Sequence, residues 1–290
     1  MKRFLTAVLS VMIMFCGCIL TACGGGEVNL TYVALVNNST GFTATDADTG
    51  IAIGLQKGSA LKAQMNEYLG TLSADYKNGL MQKMVELKNK EGATYTIEYN
   101  ADHSTSNGTL KVGMECAYDP FNWTQNDASN GAVAIANVAG KYANGYDVQI
   151  AAQVAAYLEM KLEIYQYEWD ALVPAVQAGT LTAIIAGMSP TEERLQEIDF
   201  TVTYYQSNLV IITREGNQIA TAKTLAEIDK KGVKIAAQPG TFHLDALKAQ
   251  TSNLTVVETY EDFVDMKMAL EAGTIDGYVA EAPTAMAFCI

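Results

Sequence analysis

A buried strand that breaks directly into a helix constrains the fold most, and its sequence is LTAIIAGMSPTEER, residues 181–194. The apolar run at its start predicts the strand. Ser189 is then expected as the helix N-cap, Pro190 as the first helical residue and Glu192 as the closing member of a capping box. Arg194 would lie one turn into this helix, close to free backbone N–H groups, and such a site suits a carboxylate. The alternative is an exposed arginine on an ordinary surface helix.

Strands and helices alternate from residue 110 onward, which predicts an α/β fold with largely parallel sheets. The predicted strands cover residues 110–115, 161–168, 181–187, 205–215, 233–238, 254–258 and 274–281. The predicted helices cover residues 147–158, 170–179 with Asp170 as cap, 224–230, 244–249 and 260–273. Upstream we expect strands at 29–36 and 51–55, helices at 60–71 and 74–88, a turn-rich connector at 91–109, and a lobe boundary near 213–217.

The N-terminus predicts a secretion signal followed by a lipid anchor. Two basic residues precede an apolar run over residues 4–20, and the tetrapeptide LTAC then ends at Cys23, which is typical of a bacterial lipobox. We expect residues 1–22 to be a lipoprotein signal peptide, Cys23 to be lipidated and residues 23–27 to form a tether. A transmembrane helix is the alternative, although the run is short for a span. The mature chain is therefore expected on the extracytoplasmic face of the cell membrane.

Charge and motif content exclude several classes of function. Residues 1–22 carry two basic residues and no acidic one, so the net charge of −13 becomes −15 without them, which argues against nucleic-acid binding. Apart from the N-terminal region, the cysteines are Cys116 and Cys289, too few for a zinc site or a disulfide scaffold. The histidines are His103 and His243, and no hydrolase, metalloprotease, Walker or dinucleotide motif occurs. We expect no catalytic residue, metal or cofactor, and Cys116 is expected to be a small core residue.

Ligands of open α/β sheets bind beyond the carboxyl ends of strands. The residues that follow the predicted strands are Glu115, Tyr118, Phe121, Trp123, Trp169, Gly187, Ser189, Arg194, Gly240, Thr241 and Glu281. This set holds a cation, two anions, several aromatic rings and small hydroxyl residues.

Such a set suits a zwitterion. Arg194 would hold an α-carboxylate, and Glu281 would take the α-ammonium group. Tyr118 and Trp169 would enclose the ligand side chain between their rings, as in a mostly apolar pocket with few polar anchors. Glu115 would meet the far end of the ligand, which favours a cationic or strongly polar side chain. The aromatic residues could instead be core, Glu115 could pair with a surface lysine, and Glu281 could cap a helix.

The chain resembles the family 3 extracellular solute-binding proteins, the amino-acid-binding components of ABC importers. The matching segments, in order, are LKVGMECAYDPF, GYDVQIAAQVAAYL, YEWDALVPAVQAGTLTAIIAGMSPTEER, IDFTVTYYQSN, AAQPGT and GTIDGYVAE. The resemblance implies a two-lobe periplasmic-binding-protein-like fold (type II) that encloses the ligand. It also implies these roles: carboxylate binding by Arg194, Ser189 and Thr241, ammonium binding by Glu281 and the Gly187 backbone, stacking by Tyr118 and Trp169, and side-chain contact by Glu115, with Phe121 beside them. The family often has aspartate at Glu115 and a small or polar residue at Phe242, which leaves the side-chain preference open.

The order of segments differs from that of the family. Members normally begin at the strand found here at residue 111 and continue past the strand of Glu281 into a return crossing and terminal helices. A segment resembling that last portion stands instead at the front, before residue 90. We therefore predict a circular permutation in which 91–109 joins the former ends. The expected lobes are 48–211, and 28–47 together with 212–290. A fragment of a tandem array is the alternative.

The predicted function is binding of a free amino acid, such as arginine, lysine or glutamine, for delivery to the membrane subunits of an ABC importer. A monomer is expected. A ligand-sensing module for a signalling partner is one alternative. A dehydratase or a lytic enzyme on the same scaffold, with Glu115 and Glu281 as paired carboxylates, is another.

Overall fold

The computed structural model of the chain describes residues 28–35 and 39–289. The predicted signal peptide, the lipid site at Cys23 and the tether lie outside the described residues. Within the described ranges, no helix combines the length and the apolar character that crossing a membrane requires.

Strands and helices alternate through most of the described chain. In chain order the strands are β1 (Leu30–Ala34), β2 (Gly50–Leu55), β3 (Thr109–Met114), β4 (Ala117–Tyr118), β5 (Asn122–Gln125), β6 (Val133–Ala134), β7 (Tyr142–Asn144), β8 (Lys161–Gln166), β9 (Ala183–Ile184), β10 (Asp199–Gln206), β11 (Leu209–Arg214), β12 (Lys234–Ala236), β13 (Thr255–Val257) and β14 (Gly277–Glu281). The helices are α1 (Asp46–Thr49), α2 (Leu61–Thr71), α3 (Ala74–Asn89), α4 (Tyr146–Tyr157), α5 (Trp169–Gln177), α6 (Glu192–Glu197), α7 (Leu225–Ile228), α8 (Phe242–Gln250), α9 (Phe263–Glu271) and α10 (Ala282–Phe288).

Two five-stranded sheets organise these elements. Sheet 1 has the spatial order β10-β2-β9-β3-β8, and sheet 2 has the order β1-β11-β14-β12-β13. We call the parts built on them lobe 1 and lobe 2. Strands β9, β3 and β8 are parallel, as are β14, β12 and β13, whereas the remaining pairs are antiparallel. The prediction of largely parallel sheets is therefore wrong for one side of each sheet. Those strands belong to the pairs β1 with β2 and β10 with β11, in which consecutive strands lie in different sheets.

The chain crosses between the sheets at Ser207–Asn208. The sequence predicts one strand over 205–215, but β10 ends at Gln206 in sheet 1 and β11 begins at Leu209 in sheet 2, with two residues between them. The backbone N–H of Ser207 donates to the carbonyl oxygen of Thr49 at 3.1 Å, next to the crossing that leads from β1 to β2. The predicted boundary between the lobes, 211/212, would divide β11. The chain passes from sheet 1 to sheet 2 four residues earlier, at 207/208.

The front of the described chain contributes to both sheets. Strand β1 pairs with β11 in sheet 2, whereas β2 lies between β10 and β9 in sheet 1 and is buried along its whole length. Helix α3 packs against both α4 and α10. Residues 28–90 are thus part of the same two lobes as the rest of the chain, and the connector 91–108 holds no described helix or strand.

Two local expectations need correction. Helix α5 begins at Trp169 with Glu168 as its N-cap, so Asp170 lies in the first turn and does not cap the helix. A negative charge there still favours the positive helix end. The small sheet β4-β5-β7-β6 was not predicted, because its strands have only two to four residues each and carry no periodic signal.

Candidate functional site

A cleft between the lobes holds most of the predicted site residues. Its cavity has a volume of about 20 Å³, which is room for little more than a water molecule, so the two lobes lie close together in this structure. Its lining residues are Glu115, Tyr118, Trp169, Gly187, Ser189 and Arg194 from lobe 1, with Gln238, Thr241, Phe242, His243, Phe263 and Glu281 from lobe 2. Eight of the nine predicted binding residues lie in this set, and Phe121 does not.

A tight turn brings Ser189 and Arg194 to the cleft. Gly187 has a φ of +66°, and a Cβ atom there would come within 3.1 Å of the Tyr118 ring. Helix α6 begins only at Glu192, with Thr191 as N-cap accepting from the N–H of Arg194. The prediction that Ser189 caps this helix is therefore wrong. The carbonyl of Ser189 accepts from the N–H of Thr191 at 3.0 Å, so a turn precedes the helix.

Asp147 stabilises the turn at Gly187 through hydrogen bonds. Its buried carboxylate, on α4, accepts hydrogen bonds from the Tyr204 hydroxyl at 2.6 Å and the Asn122 amide at 2.8 Å, and also from the backbone N–H of Gly187. Burial raises the pKa of Asp147 to about 7, while these hydrogen bonds lower it. Sequence reasoning missed this residue because it read Asp147 only as the beginning of a helix.

Arg194 reaches across the cleft. Its Nη1 donates to the Ser189 carbonyl at 2.9 Å, and its Nη2 donates to the Gly240 carbonyl of lobe 2 at 2.8 Å. The guanidinium lies 5.2 Å from the centre of the Trp169 ring. Burial lowers the pKa of Arg194 to about 10, so the side chain is still a cation at neutral pH. These two hydrogen bonds use two of its five N–H donors, and the others can serve a carboxylate.

The aromatic residues are arranged differently from the predicted sandwich. Tyr118 stacks on Phe263 of lobe 2, with ring centroids 3.9 Å apart and an interplanar angle of 13°. Trp169 faces Arg194 and donates its indole N–H to Gly240 at 3.0 Å. Each of the two predicted clamp residues thus has a ring face against another side chain. Phe121 is fully buried beside Tyr118, with centroids 4.9 Å apart.

Glu115 contributes a buried carboxyl to the lining of the cleft. Its Oε1 accepts from the Gln238 amide at 2.6 Å, and Gln238 also donates to the carbonyl of Glu261 at 2.6 Å. Burial raises the pKa of Glu115 to about 8, and the hydrogen bond from Gln238 acts in the opposite direction. Among the described residues no lysine pairs with Glu115.

Glu281 forms a buried pair with His243. The two side chains meet at 2.8 Å between Oε1 and Nε2. Burial raises the pKa of Glu281 to about 8 and lowers that of His243 to about 3. Within the described chain, Glu281 Oε2 and His243 Nδ1 have no hydrogen-bond partner. Glu281 precedes α10 as its N-cap residue, but its side chain makes no capping bond.

Thr241 begins helix α8 and orders the loop before it. Its hydroxyl accepts from the N–H of Leu244 and donates to the Gln238 carbonyl at 2.6 Å. His243, two residues later, was missed by sequence reasoning, although it follows the end of a strand in the same way as Thr241 does. Gln238 and Phe263 were missed as well.

Residues 110–265 match the sequence profile of the bacterial extracellular solute-binding proteins, family 3. The chain belongs to this family. The match includes most of the cleft, from Glu115 to Phe263, and leaves out Glu281. Family 3 proteins bind solutes, and several curated relatives of this chain carry the names of binding proteins and not of enzymes. Cys116 fits this assignment, because burial raises the pKa of its thiol to about 12 and the thiolate is therefore not the prevailing form.

Several curated relatives have names that specify an amino acid. The probable histidine-binding protein of Campylobacter jejuni is 29% identical over 195 residues, which are 67% of this chain and 68% of that protein. The L-arginine-binding protein of Pseudomonas aeruginosa is 28% identical over 174 residues, 60% of this chain and 61% of that protein. The chain thus spans about three fifths to two thirds of the length of these relatives.

Solved structures of similar proteins share the fold. An ancestral arginine-binding protein bound to arginine has a TM-score of 0.53 and 28% identity, covering 62% of this chain and 73% of that one. The ancestral amino acid-binding protein AncCDT-1, a precursor of cyclohexadienyl dehydratase, has a TM-score of 0.53 and 26% identity, covering 61% and 72%. These matches confirm the predicted α/β, two-lobe fold of type II.

Proposed function

We propose that this protein binds a free amino acid in the cleft and delivers it to an ABC importer from a lipid-anchored position outside the cytoplasm. The observation that carries this proposal is that Arg194 and Glu281 line one cavity from opposite lobes. A cation and an anion placed in this way match the two charged groups of a zwitterion. The family and the names of the amino-acid-binding relatives support the same function.

Ligand binding would favour closure of the two lobes, because the ligand would contact both of them. The free donors of Arg194, with Ser189 and the backbone N–H of Thr241, would hold the carboxylate. Glu281 Oε2, with the Gly187 backbone, would accept from the ammonium group. A ligand that contacts both lobes stabilises the closed arrangement over the open one, since only the closed arrangement offers both sets of contacts.

The far end of the ligand would meet Glu115, held by Gln238 from the opposite lobe. A buried carboxylate at this position favours a ligand with a cationic or hydrogen-bonding side chain, because such a group would pair with it in a desolvated site. We therefore favour arginine, lysine or glutamine as the ligand.

A thermal-shift screen of the twenty amino acids with the full chain, purified in detergent, tests this function. The ligand should raise Tm, since it binds the folded form. In calorimetry, Arg194→Ala should weaken binding by about a hundredfold, because a buried carboxylate loses its charged partner. Lys161→Ala, which removes an exposed cation on β8, is the matched control and should leave the affinity unchanged. No shift with any amino acid, or an unchanged affinity for Arg194→Ala, would contradict the proposal.

We also propose that the order of the chain is a circular permutation of the family order. Support comes from β1 and β2, which contribute to sheets 2 and 1 respectively, and from the family match, which begins only at residue 110. A protease site inserted in the exposed turn 104–107 of the connector tests this idea. After cleavage, the two pieces should stay together on a gel-filtration column and keep the ligand affinity. Release of the piece that holds residues 28–90 would favour a tandem-array fragment.

A further inference from the structure

His243 and Glu281 form a buried pair in the cleft lining, and such a pair is unusual in a site that would bind a cation. Glu281 is buried, and its charged or titratable partner within 4.0 Å in the described chain is His243, not a lysine or an arginine. An isolated buried carboxylate is costly to ionise, so such a group tends to keep its proton. Its second oxygen, Oε2, lies in the cleft wall without a described partner.

The groups around the pair keep the imidazole neutral. Arg194 on α6, Glu115 after β3 and Tyr118 on β4 line the same cavity as the pair. The nearby positive charge of Arg194 adds to burial in lowering the pKa of His243. The imidazole therefore does not become a counter-ion for Glu281, and any charge on that carboxylate must be balanced by another group.

We propose that His243 is a positioning residue for the ammonium subsite, and that the Glu281–His243 pair releases one proton to solvent when a ligand ammonium binds. This inference rests on the proposed function of the cleft. In the unoccupied pair the Glu281 carboxylic acid donates to His243 Nε2. When the ammonium arrives, Glu281 gives its acid proton to solvent and becomes a carboxylate. The imidazole then carries its single proton on Nε2 and donates to Oε1, while Oε2 accepts from the ammonium group.

Glu281 is therefore a pH-dependent acceptor. The pKa of about 8 agrees with a protonated carboxyl at neutral pH in the unoccupied cleft. Below that pH the pair should release up to one proton per bound ligand, which by itself lowers Kd by up to tenfold for each pH unit gained. A ligand with a cationic side chain should release a further proton from Glu115, whose pKa is also about 8. Above it the carboxylate is already formed, and the dependence should level off until the ligand ammonium itself deprotonates.

Calorimetry in two buffers of different ionisation enthalpy measures this release. The probe is the amino acid that gives the largest thermal shift, titrated into the full chain between pH 6 and pH 8.5. The observed enthalpy should depend strongly on the buffer at pH 6.5 and much less on it at pH 8.5. In the Glu115→Gln background, which removes the other carboxyl of the cleft with a pKa of about 8, Glu281→Gln should abolish the dependence on buffer and pH, and it should also weaken binding.

Variants of His243 separate positioning from a merely structural role. His243→Leu removes the donor to Oε1, so the pH at which Kd levels off should move upward. His243→Gln keeps an amide donor and should restore the wild-type profile at least in part. His103→Gln, in the connector, is the matched control, because His103 bonds only to backbone carbonyls outside the cleft. Thermal unfolding of each variant checks that it is folded.

Buffer-independent binding by the wild type at pH 6.5 would overturn this inference, since the proton would then stay on the pair. An identical pH profile for His243→Leu and the wild type would overturn the positioning role. Both results presuppose that an amino acid binds. Failure of every amino acid to bind the wild type would instead refute the proposed function.

Discussion

The guanidinium of Arg194 donates a hydrogen bond of 2.8 Å to the carbonyl oxygen of Gly240, a residue on the opposite side of the cleft. Trp169 donates its indole N–H to the same oxygen at 3.0 Å. The stack of Tyr118 on Phe263 crosses the same gap. The protein's own side chains thus bridge the two lobes. We expect these contacts to favour the closed arrangement, in addition to any contacts that a ligand makes.

The indole hydrogen bond of Trp169 should strengthen ligand binding by favouring closure. Trp169→Phe removes the donor but keeps an aromatic ring beneath Arg194. Because a hydrogen bond of this kind contributes about 1 kcal/mol, we expect Kd to rise about fivefold. Small-angle scattering of the unliganded variant should also give a larger radius of gyration. An affinity equal to that of the wild type would show that this bond does not favour the closed state.

The position of the two tryptophans allows a direct optical test of the cleft. The chain contains Trp123 and Trp169. Trp123 lies outside the cleft lining, with the Lys88 ammonium 4.9 Å from its ring centre, whereas Trp169 lines the cleft. In Trp123→Phe, a ligand should shift the tryptophan emission because it changes the charge and hydration next to Trp169. In Trp169→Phe, the same ligand should leave the emission of Trp123 unchanged, and a shift there would place the binding site elsewhere.

The rule that ligands bind beyond the ends of strands identified most of the cleft from sequence. It worked because Glu115, Gly187 and Glu281 come directly at or after strands whose apolar runs are clear. His243 lies on α8 and meets Glu281 from 38 positions away in the chain. A pairing over that separation depends on how α8 packs against sheet 2, and no local spacing reveals it.

The helix cap and the lobe crossing show a second limit of sequence reasoning. Ser189 and Thr191 are both good N-cap residues, and the choice depends on the turn that Gly187 opens with its positive φ. The crossing at Ser207 is marked only by a short polar interruption between two apolar runs. Such an interruption can lie within one strand or separate strands of two different sheets. The long-range pairing of β10 with β2 and of β11 with β14 decides between these outcomes here.

Gly240 lies where the two lobes approach each other closely. Gly240 has a φ of +67°, and a Cβ atom there would lie 2.6 Å from Asp170 Oδ1 and 3.3 Å from Trp169 Cδ1, both in lobe 1. Gly240→Ala should therefore weaken ligand binding, because the Asp170 carboxylate and the Trp169 ring must shift to make room for the methyl group at the closed cleft, and it should also lower stability through its backbone strain.

Gly216→Ala is the matched control for that strain. Gly216 has a similar φ of +76°, and a Cβ atom there would meet nothing within 4 Å. Each alanine should cost roughly 1–2 kcal/mol in unfolding free energy, since both occupy the left-handed region. Calorimetry with the ligand should detect weaker binding for the position 240 variant only. Equal affinities of the two variants would show that the cleft closes without contact at Gly240.

The buried carboxyl of Glu115 should make the unliganded protein less stable as the pH rises. Its pKa is about 8 in the folded protein, against an ordinary value of 4.5, so the folded state binds the proton more tightly than the unfolded chain does. Its contribution is fully present below pH 4.5 and is lost as the pH rises toward 8, by at most about 1.4 kcal/mol per pH unit.

Glu115→Gln isolates this contribution, since the amide cannot titrate and its oxygen can still accept from Gln238. Urea unfolding between pH 5 and pH 8 should give the variant a shallower loss of stability than the wild type. Glu163→Gln is the control, because the hydrogen bond from Lys161 holds the pKa of Glu163 below its usual range and the group does not titrate in this window. The Glu115 variant should also lose affinity for cationic amino acids more than for glutamine, because its amide no longer offers them a counter-charge. Parallel stability curves for the Glu115 variant and the wild type would mean that this carboxyl is already ionised in the folded protein at pH 5.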